Sequence, residues 1–289
     1  MTSNQTLRTI GPLDTALHPT YCDYVLQVFR QADFRRWCAW DQWSEDYRAF
    51  CVFQDDRVIA NVSASRMELW VDGQPVDGFQ LGAVGCLPEF RGQGLARRAM
   101  QAALAHCGQA PVCLFANETV LDFYPRFGFA AAEQSLFETE FAAEPVGERV
   151  AALDLGDARI RGDFLAAARI ARPSSRRFGA RDYGRIATWY AANGYASELR
   201  CLDEATWVFA QVEDGVLFVE DVFASRPFDL LAAVPRLIDR PVRAVRFGFT
   251  PERAWPGACA VGIEADAGLF VRNLALPDRA SRFPLLART

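Results

Sequence analysis

Apolar and polar positions alternate along this chain in blocks that separate helices from strands. Tyr24, Val25, Val28 and Phe29 recur at helical spacing and predict a helix within Tyr21 to Arg36. Ala49-Phe50-Cys51-Val52-Phe53 is a short apolar run, Gln54-Asp55-Asp56-Arg57 a polar turn, and Val58 to Leu69 a second strand. Val71-Asp72-Gly73-Gln74-Pro75-Val76 is another turn, so the strands here form an antiparallel meander. Phe79 to Leu87 is nearly all apolar, the pattern of a strand covered on both faces.

The period then changes. Gly94 to Cys107 places Ala96, Ala99, Met100, Ala103 and Leu104 on one side of a helix that Gly108 and Pro111 end. Val112 to Ala116 reads as a strand, Thr119 to Arg126 as a short helix, and Leu136 to Phe141 as a last strand. This order gives a mixed α/β layer. Ala142 to Glu148 is polar with Pro and Gly, the best candidate linker. Beyond it come a helical pattern at Arg181 to Asn193 and strands at Trp207 to Val212 and Val216 to Ala224. A helix opened by Pro227 and a strand at Val242 to Phe249 follow. That strand–strand–helix–strand order echoes residues 58 to 116 without repeating their sequence.

A chain of 289 residues suits two domains of about 140 residues each. The expected boundary separates 1–145 from 146–289. Apolar residues make up 51% and charged residues 23%, an ordinary globular balance. No apolar run approaches the roughly 20 residues of a membrane span, and the first residues lack a secretory pattern. The expectation is a cytoplasmic protein. A net charge of −5 argues against nucleic acid as the main partner. Every one of the 31 basic residues is an arginine. Eight cysteines without CxxC pairs, and only His18 and His106 besides, offer no metal site and no disulfide framework.

The chemistry concentrates in one turn. Leu87-Pro88-Glu89-Phe90-Arg91-Gly92-Gln93-Gly94-Leu95-Ala96 joins a strand to a helix start. The first turn of a helix has backbone N–H groups without intrahelical partners, and the helix dipole makes that end positive. Gly92 and Gly94 lack the Cβ atoms that would hold a diphosphate away from those amides, and Arg91 adds a fixed charge. An ordinary glycine turn has the same sequence features. No third glycine makes it a Rossmann fingerprint, and no Gly-Lys-Ser/Thr makes it a Walker loop.

With Asn117-Glu118-Thr119 and Phe123-Tyr124-Pro125-Arg126-Phe127-Gly128-Phe129 downstream, residues 20 to 141 resemble the GNAT superfamily of acyl-CoA-dependent N-acetyltransferases. The resemblance implies acetyl-CoA as cosubstrate, lying between splayed parallel strands at Phe79–Leu87 and Val112–Ala116. It gives backbone groups of Cys86 and Leu87 to the pantetheine arm and thioester carbonyl. The amides of Gly92, Gln93, Gly94, Leu95 and Ala96, beside Arg91, would take the pyrophosphate, and Asn117 would contact the arm. Tyr124 falls where the family places an acid for the leaving thiolate. The plainer alternatives are an amphipathic aromatic packed at the domain surface for Tyr124 and a helix N-cap for Asn117. His106 reads as a dipole contact at a helix end, and Cys86 as a small strand residue.

One feature departs from the family. Phe79-Gln80-Leu81-Gly82-Ala83-Val84 carries no glutamate to act as base, leaving a water chain, Glu118 or a carboxylate of the second half. The layout resembles tandem GNAT proteins of the enhanced-intracellular-survival type. That implies an α/β fold with two GNAT-like domains, the second degenerate because Ser225-Arg226-Pro227-Phe228 replaces the glycine turn. The chain is shorter than relatives with a third domain. The functional expectation is an N-acetyltransferase acting on an amine of a small molecule or peptide. The alternative is a non-catalytic acyl-CoA sensor. Trp37, Trp40, Trp43 and Glu45 read first as a core or surface aromatic cluster and, beside that, as candidate acceptor contacts.

Overall fold

In the computed structural model, which describes residues 5–117, 120–195, 198–265 and 268–289, polar turns set the strand pairing from the start. Strand β1 (Gln5–Ile10) precedes α1 (His18–Phe29), which Pro19 opens and which buries Tyr21, Cys22, Tyr24 and Val25. The expected single helix over 21–36 is thus two, because Arg30 takes a positive φ of 48° and α2 restarts at Arg35–Ala39. Strands β2 (Tyr47–Gln54), β3 (Arg57–Val71) and β4 (Gln74–Cys86) form the antiparallel meander. Helix α3 (Leu95–Cys107) then buries Ala99, Met100 and Ala103, and β5 (Val112–Phe115) returns parallel to β4. In place of an α-helix up to Arg126 there is a 3-10 turn at Tyr124–Phe127, followed by β6 (Ala130–Ala131) and β7 (Ser135–Ala143).

The second half repeats this order. After β8 (Ala152–Leu153) come α4 (Ala158–Ile170), β9 (Phe178–Arg181) and α5 (Gly184–Ala192). The meander follows as β10 (Glu198–Asp203), β11 (Thr206–Glu213) and β12 (Val216–Ala224). Then come α6 (Leu230–Leu237), β13 (Val242–Phe247), β14 (Cys259–Ile263) and β15 (Leu269–Arg272). Both meanders turn on the same dipeptide. Asp72-Gly73 joins β3 to β4 and Asp214-Gly215 joins β11 to β12, with φ of 48° and 84° in the first and 50° and 74° in the second. Two positive φ values match the right-handed strand twist of a two-residue hairpin.

Two mixed sheets result. The first has the order β1-β2-β3-β4-β5-β15-β6, with β9 also paired to β3, and the second has β14-β7-β13-β12-β11-β10-β8. Each sheet has a strand from the other half next to its parallel pair. The strand at 135–143, read from sequence as the last of the first half, lies between β13 and β14 of the second sheet. In return β15 lies against β5. A boundary at 145 does not part the two sheets. The cores are stitched across it as well, since Phe270 joins the core of the first half and Met67, Leu69 and Cys113 join one built mainly from the second. No helix among the described residues is long and apolar enough to cross a membrane.

Candidate active site

β4 and β5 pair only from Phe79↔Val112 to Leu81↔Leu114, after which β4 runs on to Cys86 and the strands part. A cavity of about 680 Å3 fills the opening, lined by Gly82 to Cys86 on one side and by Phe115, Asn117, Val120, Phe123 and Tyr124 on the other. The splay expected between these strands is therefore present. Its cause is local. The β3–β4 register shifts between Asn61 and Ser63, and Ala83 holds φ at 47°, a rare conformation for a residue with a Cβ. Fully buried Asn61 donates from Nδ2 to the Ala83 carbonyl at 3.0 Å and to Ser63 Oγ at 2.9 Å. Ser63 in turn meets the Tyr21 hydroxyl at 3.1 Å, and Tyr21 shares a short hydrogen bond with Tyr47, a cavity residue. A buried chain of polar groups thus fixes the bulge that turns β4 toward the cavity.

At one mouth stands the start of α3. Its N-cap is Gly94, with φ 77° and ψ 8° and no side-chain cap; Gly92 has φ 78°, and a Cβ on either glycine would meet nothing within 4 Å. Among the described residues, the amides of Gly92, Gln93, Gly94, Leu95 and Ala96 donate no hydrogen bond. Arg91 and Ala96 line the cavity directly. Unpartnered amides, open space and one guanidinium suit a diphosphate.

Of the residues expected on the cofactor path, Cys86 lines the cavity and its thiol is pushed up by burial, so it is no ready nucleophile. Leu87 does not line the cavity; its N–H is taken by the Ile59 carbonyl at 2.9 Å, and its own carbonyl accepts from Phe90 N at 2.9 Å with a second lone pair free. Asn117 lines the cavity; Glu118 lies outside the described residues. Tyr124 is 3% exposed, faces the same cavity and has its pKa pushed up to about 12 by burial. His106 packs its ring against Phe50 and Phe79 at 5.4 and 5.5 Å, and is not a cavity residue.

The other walls come from places that sequence reading missed. Val25, Val28 and Phe29 of α1, Phe34, and Tyr47 and Ser65 of the meander line one side. Trp37 joins them, whereas Trp43 stacks on His18 at 4.2 Å and Trp40 lies between Arg36 and Arg161. Glu45 pairs with Arg48 and stays outside. The second half contributes Ile186, Trp189 and Thr289. Gln80, where the family would carry strand chemistry, binds the segment that delivers Thr289. Its Nε2 donates to the Ala287 carbonyl at 2.8 Å, and its Oε1 accepts from Thr289 N at 2.6 Å. Gly82 permits the approach, since a Cβ there would lie 2.7 Å from Thr289 Oγ1 and 2.9 Å from its carbonyl carbon. Arg288 adds an ion pair to Glu264 at 3.0 Å and covers the Phe115 ring at 4.6 Å. Among the described residues that line this cavity there is no Asp or Glu.

Comparisons with known proteins agree with this geometry. In sequence, residues 10–132 match the acetyltransferase (GNAT) domain family. No curated protein matches the chain. In structure, the chain is similar to Eis1 of Mycobacterium abscessus, with a TM-score of 0.57 and 15% identity over 93% of this chain and 73% of that one. A GCN5-related N-acetyltransferase of Kribbella flavida has a TM-score of 0.53 at 16% identity, over 93% and 72%. Another from Anabaena variabilis has 0.51 at 15%, over 92% and 72%. At such identities the likeness is one of fold. The chain is thus a mixed α/β protein similar in fold to Eis1, and its residues 10–132 match a GNAT acetyltransferase domain.

Proposed function

We propose that the protein is an N-acetyltransferase that moves an acetyl group from acetyl-CoA to the amine of a small molecule or peptide. The observation that carries this reading is the bare start of α3 at one mouth of a cavity that also holds Tyr124. The pyrophosphate would rest on the amides from Gly92 to Ala96 beside Arg91, and the pantetheine arm would run along Gly82 to Cys86 past Asn117. Attack of a neutral amine on the thioester carbonyl forms the C–N bond and expels a thiolate. Tyr124 would protonate the thiolate, and the proton lost by the amine nitrogen would return, through water, to the Tyr124 phenolate. In this division of labour residues 1–145 supply the cofactor side and residues 146–289 supply one acceptor wall through Ile186, Trp189 and Thr289. An aromatic and aliphatic lining without Asp or Glu suits an amine on an apolar body.

A second reading, an acyl-CoA binder without turnover, draws on the same lack of Asp and Glu in the described lining. Calorimetry with acetyl-CoA and a turnover screen over aromatic and aliphatic amines separate them. Binding with turnover supports the transferase, binding alone the sensor, and no binding at millimolar cofactor removes both.

Gly94→Val tests the amide cradle. The Cβ has room in the free protein, so folding bears only the strain of a left-handed residue, about 1–2 kcal/mol. Acetyl-CoA affinity is expected to fall at least tenfold, because the added methyls occupy the space over the amides. Equal affinity in the variant would place the diphosphate elsewhere.

Gln80→Ala tests the delivery of Thr289. It strips hydrogen-bond partners from Ala287 and Thr289 in a buried place, where each orphaned group costs about 1–3 kcal/mol. Acetyl-CoA affinity is expected to hold within threefold while kcat/KM for the amine falls at least tenfold. Steady-state kinetics with both substrates varied would read the difference, and a loss confined to acetyl-CoA would contradict it.

A further inference from the structure

The second sheet opens in the same way as the first. β12 and β13 pair in parallel only from Val216↔Ala244 to Val219↔Phe247, and β12 then runs on past β13 to Ala224, paired with β11 and bridged at its end by Arg172. The preceding hairpin carries a register shift between Phe209 and Ala210, as β3–β4 does in the first half. A cavity of about 750 Å3 occupies this opening, with Val222 and Ala224 of β12 on one side and Phe249 and Arg253 on the other. It sits where the repeat puts a cofactor, yet its chemistry is different. The helix after β12 is closed to an anion, because Asp229 caps α6 by accepting from Ala232 N at 3.0 Å.

Positive charge comes instead from side chains. Arg172, Arg176, Arg181, Arg226 and Arg253 all line the cavity, and no Asp or Glu does among the described residues. Two of them are spoken for: Arg181 pairs with Glu68 at 3.2 Å and Arg226 with Asp203 at 3.4 Å. Glu252 turns away to accept from Ser175 Oγ and Arg176 N at 3.1 and 2.6 Å. Arg172, Arg176 and Arg253 therefore face the opening with no carboxylate in ion-pair reach among the described residues. Desolvation and Arg172, with Arg176 adding to them, depress the pKa of Arg253 against the opposing pull of Glu252. Since every basic residue here is arginine, residue type says little; the convergence of unpaired guanidinium groups on one cavity is the evidence. Trp70 and Phe228 line the same walls.

We infer that this second opening is a binding site for a phosphate-bearing small molecule with a planar group, of the nucleotide class. The planar fork of arginine grips phosphate oxygens in pairs, and the rings take the flat part of the ligand. The site is separate from the acetyl-CoA cavity and is independent of acetyl transfer.

The test uses ADP and pyrophosphate as probes, by calorimetry on the full chain with and without saturating coenzyme A. ADP is expected to bind in both conditions and at least tenfold more tightly than pyrophosphate. Arg172→Ala and Arg253→Ala are each expected to weaken ADP at least tenfold and to leave coenzyme A affinity within twofold. Arg176→Ala, at an exposed position, gives the same reading should Arg253→Ala fold poorly. Gly94→Val is expected to leave ADP binding intact. No ADP binding at millimolar concentration, binding abolished by coenzyme A or by Gly94→Val, or binding indifferent to all three arginine variants would each overturn the inference. ADP no tighter than pyrophosphate would remove the planar group from it.

Discussion

Tyr124→Phe is expected to lower kcat by about 10²–10⁴-fold, the range lost with a positioned general acid, while acetyl-CoA affinity moves less than twofold. The packing argues that folding survives. The Tyr124 ring sits among Phe123, Phe129 and Phe270 at 5.4, 6.2 and 5.3 Å, and a phenylalanine keeps those contacts. Its hydroxyl makes no hydrogen bond among the described residues, so removing it orphans no partner. The pH dependence has a definite sign. Burial raises this phenol to about 12, so the acid form persists as pH rises and a basic limb owed to Tyr124 appears only near that value. A thiolate released into the same apolar cavity is raised by the same desolvation, which keeps donor and acceptor matched. The acidic limb belongs to the acceptor ammonium and should be unchanged in the variant. Rates of wild type and variant over a full pH series provide the check, and a kcat within threefold of wild type would remove Tyr124 from the proton path.

What the sequence shows of this site is its local part. The glycine turn, the helix behind it and the Phe123-Tyr124 segment are contiguous, and their chemistry is carried by backbone geometry that Gly92 and Gly94 announce. Leu87 shows the limit even there, since only the β3 register reveals that its amide is already bonded to Ile59. Helix α4 was missed because only Phe164 and Ala168 of it are buried, too thin a stripe to register as a period. β9 and β15 are four residues each, and their partners β3 and β5 lie more than a hundred positions away. Gln80 reads as a gap where a glutamate was sought; its role as the clamp on Ala287 and Thr289 exists only once the chain has folded back on itself. The arginine-lined opening was hidden for the same reason, because Arg172, Arg226 and Arg253 converge from three segments.

The exchange of β7 and β15 makes the boundary at 145 a severe experimental cut. A fragment of residues 1–145 keeps β7 without its partners β13 and β14, and its β5 loses β15 as a neighbour. Leu269, Phe270 and Val271 are 1%, 4% and 9% exposed. Burying three such side chains contributes about 5–9 kcal/mol together, comparable to the roughly 5–15 kcal/mol that holds a whole domain folded. The bare β5 edge would also invite strand pairing between copies. The fragment is therefore expected to aggregate, or to melt without a cooperative transition, although it contains every residue of the phosphate turn and Tyr124. Fragment 146–289 should fail likewise, since Phe137 of the second sheet's core stays with the first piece. Co-expressing the two pieces is expected to return one complex that unfolds cooperatively near the temperature of the intact chain, because the exchange needs both strands but not the link between them. A monomeric 1–145 fragment with a sigmoidal melt and native near-ultraviolet dichroism would show that each half closes its own sheet.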